Sequence, residues 1–238
     1  LSQPSDNGAY RTYKHQKMDD ILKTKWDYVF LQLGPWDPVI NDIYARSREY
    51  IVDYIQEKLP DAKIGYSVSW LSPYSANSSL TTDYTNIYNQ SVALAGGKTS
   101  AYERYSALIN NVKSNLLNDD GTPKEDDISM VISVGTPVYY LTEELNVDPK
   151  YLYGDDPQVH IRKDHIGGIL ASYAFYMQFR YNLGLINKCT VTMNSYDIWN
   201  GSGTKVSDTF DLTDRHKNQI AKAINFVLNN PWTVPEDA

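Results

Sequence analysis

Three short runs, "WDYVFLQL" (Trp26 to Leu33), "AKIGYSVSW" (Ala62 to Trp70) and "ISMVISVG" (Ile128 to Gly135), constrain this chain more than any other feature. Each is close to continuously apolar rather than alternating, as expected of strands covered on both faces. What separates them has a different period. From Pro38 to Leu59, Val39, Ile43, Tyr44, Tyr50, Ile51, Tyr54 and Ile55 recur at helical spacing, and Pro60 closes the helix. Ser100 to Leu117 is helical, with Tyr102, Tyr105, Leu108, Ile109 and Val112 on one face. "MDDILKTK" predicts a short helix ahead of the first strand, and Ile166 to Leu183 and Thr213 to Leu228 predict two more behind the third. Strand and helix alternating in this order predict an α/β fold with a mainly parallel sheet covered on both sides. Leu71 to about Thr85 is polar and reads as a long loop, "NDDGTPKEDD" as a second loop, and "NKCTVTM" as a strand. No internal repeat or boundary divides the chain, so residues 1–238 are expected to form one domain.

The net charge of −7, without any Lys/Arg run, argues against nucleic acid as a partner. No apolar stretch reaches the length of a membrane span. "LSQPSDNGAY" has neither a charged leader nor an apolar core, so any signal peptide is expected to be absent already. Cys189 is the single cysteine, which excludes an internal disulfide and a cysteine-rich zinc site. The aromatic, Asn-rich and Cys-poor make-up fits a secreted or periplasmic protein. Tyrosine is the outlier, with 20 Tyr against 5 Phe and with 5 Trp beside them. Such rings stack on sugars or line wet grooves, or else stand in for Phe at half-buried positions. The partner expected is a small molecule or a glycan.

In parallel sheets the chemistry collects at the carboxyl ends of the strands. Here those ends are "QLGPWDP", "SWLSPY" and "GTPVYY", and "YGDDPQVHIRKDHIGG" leads into the following helix. A His acting as general base needs a carboxylate to fix its tautomer and stabilise the imidazolium. Asp156, four residues before His160, and Asp155 beside it can do this, whereas Asp164 is placed to cap the helix beginning near Ile166. His160, His165, Asp155, Asp156 and Asp164 could hold a metal, but no HExxH or His-x-His spacing is present. "DDGTPKEDD" lacks the alternation of a calcium loop, and neither GxGxxG nor GxxxxGK[ST] occurs. No cofactor is expected.

"WDYVFLQLGPWD", "SVGTPVYYL" and "DDPQVHIRKDHIGGILASYAFY", in this order, with the closing "LTDRHKNQIAKAINFVLNNPWTV", resemble the SGNH/GDSL hydrolase superfamily, in an uncharacterised bacterial branch of it. The resemblance covers nearly the whole chain. It implies a three-layer α/β/α, flavodoxin-like fold and ester hydrolysis by Ser–His–Asp chemistry. His160 falls on the family's catalytic His and Asp156 on its acid, with three residues between them where the family has two, so Asp155 stays an alternative. "LGPWD" falls on the block that supplies an oxyanion donor. Trp36 stands at its Asn position beside Gly34, and Gln32 at the strand end is the better polar candidate. Trp70, Tyr74 and the loop from Leu71 to Thr85 would shape the substrate groove. The family's nucleophile sits in a GxS turn after a first strand, and neither occurs in these 238 residues. Ser5, Ser67, Ser69 and Ser72 lie near the terminus or strand ends without that context. The chain is thus expected to be either an incomplete copy or a variant that closes its sheet without that strand. Three functional expectations follow: a hydrolase of carbohydrate acyl esters, a non-catalytic carbohydrate-binding relative, and a metal-dependent hydrolase.

Overall fold

The three apolar runs form one parallel sheet. In this computed structural model residues 18–33, 42–71, 82–148, 150–153, 166–187, 198–199, 205–206 and 213–235 are described. β1 (Tyr28–Leu33), β2 (Lys63–Val68) and β3 (Ile128–Ser133) lie side by side in chain order. β1 and β2 keep one register from Tyr28 opposite Lys63 to Leu33 opposite Val68, while the β2–β3 register shifts between Ile64 and Gly65. Parallel neighbours need a crossover. α2 (Asp42–Lys58) supplies the first, and α3 (Thr82–Leu94) with α4 (Ala101–Leu116) the second. Helical residues 18–22, here α1, precede β1.

Alternate residues of each strand enter different cores. Val29, Leu31, Ile64, Tyr66, Val68 and Val131 pack with Val52 and Ile55 of α2 and with Tyr105, Leu108, Ile109 and Val112 of α4. Tyr28, Phe30, Met130 and Ile132 face the other way, onto Ala171, Phe175 and Phe179 of α7 (Ile166–Asn182). Phe30 meets Phe175 edge-on at 4.8 Å and Phe179 at 5.6 Å. Gly65 makes room for it, since a Cβ there would lie 2.5 Å from the Phe30 ring. The second side of α7 packs Ile166, Ile169, Leu170 and Ala174 against Ile220, Ala223, Ile224 and Leu228 of α8 (Asp214–Asn229). This explains a helix with apolar residues on two sides: both are covered.

β2 and β3 are buried as expected, but β1 is not: Tyr28, Val29, Phe30 and Leu31 are half-buried and Gln32 is exposed. The reason is position, since β1 has one strand neighbour among the described residues. The side of β3 turned away from β2 meets α7 at its end. The Val134 N–H donates to the Val68 carbonyl at 2.9 Å, so the N–H and C=O of Ser133 point away from β2. The side-chain amide of Gln178 on α7 fills both: Oε1 accepts from the Ser133 N–H at 3.1 Å and Nε2 donates to its carbonyl at 2.7 Å.

Other departures from the sequence reading are local. The helix α3 begins at Thr82, inside the stretch expected to be loop. "GTPVYY" is helical: α5 (Gly135–Tyr139) starts at the end of β3 and runs into a π-helical turn, Tyr140–Glu144. α6 (Lys150–Tyr153) and an antiparallel pair, β4 (Ile198–Trp199) with β5 (Lys205–Val206), are the remaining elements among the described residues. "LSQPSDNGAY" and the Cys189 run lie outside the described residues. No helix among the described residues is long and apolar enough to cross a membrane.

Candidate functional site

The carboxyl ends of β2 and β3 open on a crevice between α4 and the α5–π segment. Past β2 the chain contributes Trp70 and Leu71, and past β3 it contributes Gly135, Val138, Tyr139, Thr142 and Glu143. Arg104 and Tyr105 come from the first turns of α4. That helix is started locally: Ser100 caps it by accepting from the Glu103 N–H at 3.2 Å. The crevice encloses about 20 Å³, room for one water-sized group or slightly more.

Its walls are fixed by buried polar contacts. Gly135 abuts the Ser69 carbonyl so closely that a Cβ would fall inside contact distance of that oxygen. Thr136 is fully buried and acts as a hub. Its Oγ1 accepts from the Tyr105 hydroxyl at 3.3 Å and donates to the Pro231 carbonyl at 3.1 Å. A threonine hydroxyl carries one hydrogen, so Ser133 Oγ, 2.6 Å away, must be the donor of that pair. Ser133 Oγ in turn accepts from the Thr136 N–H at 3.3 Å. Burial pushes the Tyr105 phenol far above its ordinary pKa, so it stays a donor. Its ring stacks on Tyr139, centroids 4.9 Å apart and 6° from parallel.

Arg104 is the charged residue in this wall that is fully buried, at 3% exposure. Its Nε donates to the Thr99 carbonyl at 3.2 Å and its Nη1 to Ser91 Oγ at 3.3 Å. The guanidinium lies over the Tyr88 ring, 4.7 Å from the centroid. Burial lowers its pKa, and Tyr88 and Glu143 oppose that shift. A cation held out of water beside a carboxylate can orient a polar group entering the crevice.

Of the residues singled out in the sequence, Trp70 is half-buried and lines the crevice. Gln32 is exposed near the end of β1, opposite Ser67 in register and outside the crevice lining. Gly34, Trp36, Tyr74, Asp155, Asp156, His160, Asp164 and His165 lie outside the described residues, as do Ser5 and Ser72. Ser67 and Ser69 are buried, and Ser69 Oγ has no hydrogen-bond partner among the described residues. No group of three His, Cys, Asp or Glu is placed to hold a metal among the described residues. Sequence reasoning passed over Arg104 and Glu143. The signal was there for Arg104, which stands on the inward stripe of α4 beside Tyr105 and one turn from Leu108. Comparisons with protein-family models, curated proteins and solved structures give no match to this chain, so the chemistry of the site rests on its own residues.

Proposed function

We propose that this chain is an SGNH-like hydrolase domain, with the three-layer α/β/α arrangement of that superfamily, acting on acyl esters of carbohydrates outside the cytoplasm. The observation that supports this most is the crevice at the carboxyl ends of two parallel strands, lined by Trp70. The segments carrying Gly34 and Trp36 and carrying Tyr74 leave from the ends of β1 and β2. In this reading a serine attacks the ester carbonyl and His160 takes its proton. Asp156, or Asp155 in its place, holds the imidazole in the required tautomer. Gln32 or the Trp36 indole N–H donates to the developing oxyanion.

A fluorophosphonate probe applied to the protein purified from its source, with the labelled peptide located by mass spectrometry, tests for the serine. The expected result is one labelled serine, and aryl acetate hydrolysis that falls roughly a thousandfold or more in His160→Ala. No labelled serine and no turnover would overturn the hydrolase reading.

A second reading, a carbohydrate-binding domain without catalysis, is supported by a different observation. An open groove of about 520 Å³ runs along the outer side of α4 beside the end of α3. Tyr102, Ser106, Asn110, Asn111 and Ser114 line it, a ring among neutral hydrogen-bonding groups, and its Lys98 and Glu103 pair with each other at 2.9 Å.

A further inference from the structure

Resting on the hydrolase reading, we propose that the crevice at the strand ends is the acyl pocket, and that it admits the methyl of an acetyl ester but no longer chain. A methyl group is close to a water molecule in size, and the crevice encloses about 20 Å³. Leu71, Val138, Trp70 and Tyr139 give it apolar walls.

The limit on chain length follows from how little these walls can move. Val138 is 2% exposed and Tyr139 6%. Tyr139 cannot swing back because it lies flat on Tyr105, whose hydroxyl is tied through Thr136 to Ser133 and to the Pro231 carbonyl. Gly135 is wedged on the Ser69 carbonyl, which fixes the start of the segment that carries Val138. Arg104, also in the lining, is held by Thr99, Ser91 and Tyr88. An added methylene therefore meets an overpacked wall rather than a soft one.

The test is kcat/KM on 4-nitrophenyl acetate, propionate and butyrate. A fall of roughly tenfold or more with each added methylene is expected. Val138→Ala, and Leu71→Ala at the half-buried rim should the first variant fold poorly, should raise butyrate relative to acetate. In parallel, sodium acetate and sodium butyrate are titrated while the Trp70 indole N–H resonance, assigned with Trp70→Phe, is followed by NMR. Equal rates on acetate and butyrate would overturn the acyl pocket and leave the hydrolase reading standing. No hydrolysis of any ester, with a Trp70 shift for acetate but not butyrate, would overturn the hydrolase reading and leave the small-acyl crevice. No turnover and no shift would overturn both.

Discussion

Gly135 shows how much a single missing Cβ can decide. A methyl there would meet the Ser69 carbonyl and lie 2.5 Å from the Tyr105 hydroxyl, and the next residue is the buried Thr136 hub. With backbone on one side and a fixed network on the other, nothing can give way. Gly135→Ala is expected to lower stability by about 2 kcal/mol or more, read from urea unfolding midpoints at unchanged m-value. "ISVGTP" showed in the sequence that a strand ends at this glycine. It did not show that a helix starts there, because the turn-like Gly-Thr-Pro string also suits a loop. Pro137 is tolerated because it falls in the first turn of α5, where its missing N–H has no partner to lose. Arg104 was hidden for a different reason, since hydrophobic periodicity ignores a charge that sits on the buried stripe.

Among the elements, legibility followed the chemistry of the inward positions. Apart from Arg104, the buried positions of α4 and α8 are apolar, so spacing alone placed both helices. α3 escaped because its innermost described position is Ser91, 1% exposed, whose hydroxyl donates to the Tyr88 carbonyl and accepts from Arg104. β1 was read as covered on both faces from its composition, but an apolar string does not record how many neighbours a strand has. α8 offers the cleanest test of a helix start. Thr213 Oγ1 accepts from the His216 N–H at 3.2 Å. Thr213→Ala should cost about 1 kcal/mol, visible as a lower thermal midpoint, and Thr213→Ser should restore most of it.

For the molecule as a whole, the α/β class and the parallel strands were legible, because buried parallel strands and amphipathic helices have different periods. The crevice was not, because its lining comes from three separate segments brought together only by folding. Among the described residues, His216 gives global stability a titration near neutrality. Burial, with Arg215 adding to it, lowers the His216 pKa below its ordinary 6.5. The folded state therefore disfavours the proton that the unfolded chain accepts. This contribution is fully present above pH 6.5 and is lost as pH falls through the lower folded value. Thermal midpoints should thus decline between pH 7 and 5, and His216→Gln should flatten that part of the slope. The amide of Gln178 has a different reach. By pairing with both the N–H and the C=O of Ser133, it clips the end of β3 to a helix 45 residues further along the chain. α7 therefore cannot slide along the sheet without leaving two buried backbone groups unpaired, so one amide sets the register between a helix and a strand.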